Sequence, residues 1–395
     1  MTGPETSHSE ADSPADVLHL IRSGRARTRN ELGRATGLAR STVAQRVDTL
    51  KAAGLVVESD EAAPSTGGRP PSLLSFNADA GLVLAADLGA THSRVAVSNL
   101  VAEPLVDTSA DLDIDEGPIE VLAWLDETFR DLLAQIGRPL SEVKGVGIGL
   151  PGPVDFGRGV PVMPPIMAGW HLFPVAKHCR ALYDVPILVD NDVNMMALGE
   201  YWIMSPKVDD FVFIKVGTGI GSGLILGGRL HRGAKGAAGD IGHVTSTPDG
   251  PSCRCGNNGC LEAMAGGRAV AAQLRARGFE AANTRDVVEL IRQGNREAVK
   301  AVRESGRLLG HVLASTVNLL NPALIMIGGD MAQAEAELLA GVREVVYQRS
   351  TTLSTTDLQI ITSSLGDRAG ITGAAAMVLD HIFTPAAIDR VLADA

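Results

Sequence analysis

Between residues 239 and 262 one histidine and three cysteines fall in a pattern that few folds can accommodate. The stretch runs Gly239-Asp240-Ile241-Gly242-His243, then Cys253-Arg254-Cys255-Gly256-Asn257-Asn258-Gly259-Cys260-Leu261-Glu262. One His with three Cys is the ligand set of a structural zinc site, in which four ligands close a tetrahedron and leave no position for water. His243, Cys253, Cys255 and Cys260 are the expected ligands. A redox role is disfavoured because no Cys-x-x-Cys is present. Four cysteines in 395 residues do not make a disulfide framework. The fourth, Cys179 beside Arg180, reads as an ordinary buried or half-buried thiol.

Charge divides the chain. The whole carries -11, which excludes a uniformly basic nucleic-acid coat. Residues 16–59 alone hold eight Lys/Arg against four Asp/Glu, a local +4 that leaves -15 on the remainder. Such asymmetry points to a basic nucleic-acid module joined to an acidic body. The hydrophobic content of 45% and charged content of 21% are those of a globular protein. No apolar run approaches the ~20 residues that span a bilayer. Residues 1–16 are acidic and polar with no apolar stretch of a secretory signal, so a cytoplasmic location is expected.

The basic segment reads as three helices, Val17–Ser23, Arg29–Thr36 and Arg40–Ala53, with Gly24, Gly37 and Gly54 at their ends as C-caps. Leu32, Ala35, Leu38, Val43, Val47 and Leu50 keep helical spacing. The short break at Gly37-Leu38-Ala39 is a helix-turn-helix signature. Two strands, 55–57 and 73–76, flank the turn-rich Pro64 to Pro70 and complete a winged helix over residues 12–77, with Arg69 at the tip or exit of the wing. The recognition helix would turn Arg40, Ser41, Thr42, Gln45 and Arg46 toward a major groove, and Arg69 toward a minor groove or the backbone.

From Leu82 onward strands rich in Val, Ile, Leu and Ala alternate with helices, an α/β signature. Strands are expected at 82–87, 94–98, 143–149, 187–190, 211–216, 223–226 and 324–327. Helices are expected at 118–135, 174–182, 193–202, 268–277, 296–320, 333–348 and 371–382. Two glycine-containing turns join strand to strand, Asp87-Leu88-Gly89-Ala90-Thr91 and Gly217-Thr218-Gly219-Ile220-Gly221-Ser222-Gly223. Either reads as a phosphate loop, in which backbone amides and Thr hydroxyls meet a polyphosphate and an Asp holds Mg²⁺ through water, or as a tight hairpin turn. No Gly-x-x-x-x-Gly-Lys-Ser/Thr is present. The one Gly-x-Gly-x-x-Gly, at Gly147, Gly149 and Gly152, runs into Pro151 and Pro153 instead of opening a helix and is no dinucleotide fingerprint. Asn191-Asp192 follows an apolar strand and precedes a helix. Asp192 is either the N-cap of that helix or a general base at the carboxyl end of a strand.

These motifs resemble those of the ROK family (repressors, open reading frames and kinases). They are the Asp-x-Gly-x-Thr loop, Gly149-Leu150-Pro151-Gly152-Pro153-Val154-Asp155, Asn191-Asp192, Gly217 to Gly221, Gly-Asp-Ile-Gly-His and the Cys-x-Cys-Gly-x-x-Gly-Cys-x-Glu run. The resemblance runs from about Leu82 to Ile382, and the winged helix matches the repressor branch. It implies an actin-like, ribonuclease H-like sugar-kinase body over 78–395. One lobe would span about 80–191 plus a C-terminal helix 371–395, the other about 192–370. It also implies a sugar site of Asn191, Asp192, Asp240, His243 and Glu262, with Asp192 the catalytic base in kinase members. Nucleotide contacts would come from Asp87, Gly89, Thr91, Gly217, Thr218, Gly219, Gly328 and Gly329, the last two being the adenosine-side turn. His243 would give one ring nitrogen to zinc and the other to a sugar hydroxyl. Two departures stand out. Asp240 replaces the Glu usual in family kinases, and Gly89-Ala90-Thr91-His92 replaces Gly-Gly-Thr-Lys, putting a β-carbon where backbone should meet phosphate and removing a cation.

The resemblance leads to a sugar-responsive repressor that binds double-stranded operator DNA, as a homodimer or higher homo-oligomer on a pseudo-palindromic site. The alternative is a glucokinase-like sugar kinase using ATP and Mg²⁺. A third reading is an adaptor that binds neither sugar nor nucleotide.

Overall fold

The computed structural model describes residues 13–62 and 72–393. The chain opens with α1 (Pro14–Arg22), α2 (Arg29–Thr36) and α3 (Arg40–Ala52). α1 begins three residues before the expected Val17, because Ser13 and Asp16 form a capping box and Pro14 fills the first helical turn. Thr28 and Glu31 do the same for α2, which ends on Gly37 in the left-handed conformation (φ 75°). The hairpin of β1 (Val56–Ala62) and β2 (Ser72–Phe76) pairs Val56 opposite Phe76 and forms the wing. Arg69, with the rest of 63–71, lies outside the described residues.

Val17, Leu18, Ile21, Leu32, Val43, Val47, Leu50, Val56 and Leu74 form the small core of this module. Glu58 of β1 ties the wing to the helices. It accepts from Arg29 Nη1 at 2.5 Å and from Lys51 Nζ at 2.5 Å. These two cations hold the Glu58 carboxyl down to about 2, from an ordinary 4.5.

The body contains two five-stranded sheets built to one plan. β3 (Leu82–Leu88), β4 (Ser93–Ser98), β5 (Pro104–Ala110), α4 (Pro118–Gln135), β6 (Val143–Leu150), the two-residue hairpin strands β7 (Val154–Asp155) and β8 (Val160–Pro161), α5 (Val175–Arg180) and β9 (Ile187–Asn191) make the first half. α6 (Asp192–Ile203) crosses to the second. There β10 (Phe211–Val216), β11 (Ile220–Leu226), β12 (Arg229–Leu230), α7 (Leu261–Ala265), α8 (Gly267–Ala276), α9 (Thr284–Arg292), α10 (Arg296–Leu320), β13 (Leu324–Gly328), α11 (Glu335–Arg349), the single turn α12 (Thr352–Thr355) and β14 (Gln359–Thr362) follow. α13 (Ala369–Ile382) and α14 (Pro385–Ala393) end the chain. The sheet orders are β5-β4-β3-β6-β9 and β12-β11-β10-β13-β14, each a three-stranded antiparallel meander followed by two parallel strands. Both faces of each sheet are covered, so the central strands β3 and β10 are apolar except at Asp87 and Lys215.

In the first half Leu84, Ala86 and Val95 pack on Val121, Leu125 and Phe129 of α4, while Val83, Ala85 and Ala96 pack on Ile371, Ala374 and Val378 of α13. In the second, Val212, Ile214 and Val216 meet α10 and α11, while Phe211, Phe213 and Ile225 meet Val193, Met196 and Ala197 of α6. α6 and α13 touch backbone to backbone. A methyl on Gly373 would run into the Met195 carbonyl oxygen, and one on Gly199 into that of Ala369.

The segment 371–395, expected as one helix of the first lobe, is two helices broken at Thr384-Pro385. α14 turns back to the winged helix and buries Ile388 in its core. Phe383 stacks edge-on against Phe76, and the Arg22 guanidinium of α1 lies 4.4 Å from the Phe383 ring centre and 5.3 Å from that of Trp202 in α6. Among the described residues no single helix is long and apolar enough to cross a membrane.

Two predictions follow from this packing. Gly373→Val should lower unfolding stability by about 3 kcal/mol, because neither backbone at that crossing can retreat from a rigid carbonyl; an unchanged urea midpoint would contradict the close packing. Glu58 stabilises the module when ionised, so its contribution is present above pH 4.5 and fades as the pH falls toward about 2. Glu58→Gln should remove roughly 1–2 kcal/mol at neutral pH, after allowance for solvent screening, and flatten that acid limb in a pH-resolved melt.

Candidate functional site

The carboxyl ends of the central strands open on a cleft of about 790 Å³ between the two sheets. Its floor is the start of α6. Asn191 ends β9 and caps the helix, its side-chain oxygen accepting from the backbone N–H of Val193 (2.9 Å) and Asn194 (3.2 Å). Asp192 is therefore the first helical residue and not the cap considered for it. The residue is buried, 4% exposed. Oδ1 accepts from Asn191 Nδ2 (3.0 Å) and the Val193 N–H (2.9 Å), and Oδ2 accepts from Lys215 Nζ at 2.6 Å.

Sequence reasoning missed Lys215, Asp190 and Arg232. Asp190, 1% exposed, accepts from Asn194 Nδ2 (2.9 Å), the Asn191 N–H (2.7 Å) and Arg232 Nε (2.6 Å), and so fixes the backbone that presents Asn191. The signal was present: a single Lys in the apolar run Phe-Val-Phe-Ile-Lys-Val, and an Asp closing the apolar β9. A charged residue in a strand covered on both faces needs a partner.

Asp87, at the end of β3, faces the same cleft. Burial pushes its carboxyl up to about 7, against the pull of the Lys215 ammonium and with the push of the Asp192 carboxylate. Its Oδ1 has no hydrogen-bond partner. Gly89, Thr91, Gly217, Thr218, Gly219 and Gly329 line the cleft as well, whereas Gly328 is buried at the end of β13 and Gly329 follows it at φ 84°. Both glycine loops are tight hairpin turns. The Gly89 N–H donates to the His92 carbonyl and the Gly217 N–H to the Gly219 carbonyl, each at 3.0 Å. These two amides are spent within the turns. His92 turns to Asp111 (3.0 Å), which also accepts from Arg285 of α9 (3.3 Å), so a charged clasp joins the two halves.

On the opposite wall, Glu262 of α7 accepts from the Ile220 N–H at 3.1 Å, and Asp240 is exposed. Asp240, His243 and Glu262 line the cleft together with Asn191 and Asp192, so the five expected sugar contacts share one cavity. His243 also belongs to a second group. The ligand atoms of His243, Cys253, Cys255 and Cys260 lie within 4.8 Å of one another. Nδ1 of His243 is 3.6 Å from Cys253 Sγ, and Cys255 Sγ is 3.6 Å from Cys260 Sγ. A tetrahedron with bonds of about 2.3 Å has edges of about 3.7 Å, so this group could hold a structural zinc ion. With Nδ1 turned to the sulfurs, the ring stands between the metal group and the cleft. Cys179 is buried, and burial pushes its thiol up to about 12.

In the winged helix, Val43, Val47 and Leu50 bury one side of α3. Ser41 and Gln45 are exposed on the opposite side, with Arg40 exposed and Thr42 and Arg46 half-buried around them.

The ROK family profile matches residues 83–381, and the MarR family profile matches residues 12–63. The chain is 30% identical over 382 residues to the xylose repressor of Caldicellulosiruptor bescii, covering 93% of this chain and 95% of that one. A crystal structure of a ROK family transcriptional regulator, described as a homologue of the Escherichia coli MLC protein, superposes with a TM-score of 0.80 at 27% identity. That match covers 98% of this chain and all of the other. The ROK family glucokinase of Streptomyces griseus, solved with glucose and AMPPNP, has a TM-score of 0.64 at 28% identity over 75% of this chain and 99% of its own. Two sheets of one plan closing on a shared cleft, matched by the family profile across the body, make this chain a member of the ROK family.

Proposed function

We propose that this chain is a DNA-binding transcriptional repressor whose two-lobed body binds a sugar and thereby changes operator affinity. The observation that carries this reading is the union, in one chain, of a winged helix with an exposed recognition-helix face and a cleft in which Asn191, Asp192, Asp240, His243 and Glu262 converge. Convergent polar groups of this kind suit a polyhydroxylated ligand. Relatives that cover both parts nearly end to end are xylose repressors, which makes D-xylose the first sugar to test.

Residues 12–77 would form the DNA module, with Arg40, Ser41, Thr42, Gln45 and Arg46 toward base edges and Arg69 at the wing. Residues 78–395 would form the body, apart from the last helix, which packs on the module. A zinc ion held by His243, Cys253, Cys255 and Cys260 would fix the imidazole that faces the sugar. The sugar must bind the DNA-competent and released conformations unequally, since equal affinity shifts nothing. A homodimer reading two half-sites is the expected assembly, with its location in the cytoplasm.

Gel-shift of the purified protein on DNA upstream of its own gene, across a sugar panel that includes D-xylose, tests this reading. One sugar should change operator affinity at least about tenfold, and affinity should fall steeply with salt. The same affinity with every sugar would remove the sensor. The metal assignment predicts one zinc per chain by metal analysis. Cys260→Ser should lose that zinc and unfold at lower temperature, whereas a metal-free wild type of full stability would remove the zinc site.

A further inference from the structure

At about 100° of turn per residue, the buried Val43, Val47 and Leu50 give α3 one inward direction, and Gln45 lies about 165° from it. Ser41 lies about 155° away, one turn earlier on the same outward line. Arg40 and Arg46 stand elsewhere, about 55° and 65° from the inward direction and on its two opposite sides. Thr42 is at about 105°, on the Arg46 side. The five residues expected at the groove therefore divide into a central pair and flanking positions.

Ser41 and Gln45 are exposed, and among the described residues neither the Ser41 hydroxyl nor the Gln45 amide is engaged in a hydrogen bond. One turn further the outward line closes. The Thr49 hydroxyl donates to the Gln45 carbonyl at 3.0 Å, and the exposed Asp48 lies 3.7 Å from Arg29. A carboxylate there repels phosphate, so the first two turns of α3 are the part that suits DNA. They also carry the positive end of the helix dipole, since Ala39 at the cap has no side chain to accept from the first amides. Recognition helices read base edges from this end.

We propose that Gln45 is the base-reading residue of this helix and that it selects an adenine in each operator half-site, with Arg40 and Arg46 on the phosphate strands to either side. The proposal rests on the reading of residues 12–77 as an operator-binding module, and it narrows the contact set to the one side chain that discriminates. The chemistry is that of the primary amide, which carries a donor and an acceptor side by side. In the major groove adenine presents the N7 acceptor and the N6 amino donor, so Gln45 Nε2 donates to N7 while Oε1 accepts from N6. Guanine presents two acceptors, N7 and O6, and sets an oxygen against the Gln45 oxygen. Cytosine and thymine each offer the amide a single bond. The Ser41 hydroxyl, donor and acceptor at once, bonds to any of these edges and makes no choice among them.

The test uses full-length protein and a double-stranded DNA library with randomised half-sites, selected without sugar and again with D-xylose. Wild type should enrich an A·T pair at one fixed position of each half-site, and G·C there should weaken binding at least about tenfold. Gln45→Ala should lose that preference alone, binding all four pairs at this position within about twofold while the other positions keep theirs. Gln45→Arg, which brings two parallel donors, should move the preference to guanine at the same position. Arg40→Ala should weaken every sequence alike and lower the slope of log affinity against log salt by about one. A Gln45→Ala protein that keeps the wild-type preference at every position overturns the proposal. So does uniform weakening with all preferences intact, which would place Gln45 on phosphate. Circular dichroism reports whether each variant has folded; if Gln45→Ala has not, the move to guanine in Gln45→Arg decides. Should wild type enrich no sequence under either condition, the repressor reading fails and this proposal with it, whereas a wild type that selects a site while the Gln45 variants select the same one overturns this proposal alone.

Discussion

The crossing of α6 over α13 is the contact on which the body depends. α13 reads Ala-Gly-Ile-Thr-Gly-Ala-Ala-Ala-Met-Val-Leu, and those eleven residues are all buried. Small side chains let the two backbones meet at Gly199 and Gly373, where any β-carbon would strike a carbonyl. α6 is thereby pinned to the first sheet through α13 while its other flank packs on the second sheet. It is twelve residues long, about 18 Å. Asp192 lies at one end in the cleft and Trp202 near the other, beneath Arg22 of the winged helix. Any tilt of this helix is felt at both places.

The buried charges follow from the same helix. Asp190, Asp192 and Glu200 are almost fully buried on or beside it, and each is matched. Arg232 holds Asp190, Lys215 holds Asp192, and Glu200 accepts from the hydroxyls of Ser363 and Ser364 and from the Leu365 N–H. The partners come from the second half of the body, so an otherwise apolar contact gains direction. Removing one member would strand its mate in low dielectric, which costs far more than the pair contributes. Asn191 and Asp192 are therefore held in place by groups that have no need of a ligand.

What could be read in the residues was whatever a repeating pattern encodes. α4 and α10 fall where hydrophobic spacing put them, because each buries one face, β10 because it is a continuous apolar run, and α2 because Thr28 and Gly37 bound it. β5 and β14 were missed: both are edge strands with only one neighbour and half-exposed residues, which leaves no clear alternation. α14 was missed as a separate helix because its partner, α1, lies at the other end of the chain. The expected sugar contacts gather in one cleft, since glycines and chain turns mark the strand ends. Lys215 is marked only by its place in an apolar run, and Arg232 by nothing, because a lone cation has no spacing of its own. Only the fold brings it to a carboxylate.

The +4 of residues 16–59 also changes meaning once its charges are located. Arg22 spends its guanidinium on the rings of Trp202 and Phe383, and Arg29 and Lys51 both close on Glu58. Three of the eight cations thus hold the module together and fasten it to the body. On the proposed reading, phosphate contact would fall to the exposed Arg25, Arg27, Arg34 and Arg40, with Arg46 beside the recognition face. Counterion release scales with the phosphates neutralised, so the salt dependence of such a module is set by this smaller group and not by the total. The -15 on the rest of the chain opposes any wider contact with DNA. On that reading, charge favours DNA contact at the winged helix over the acidic body.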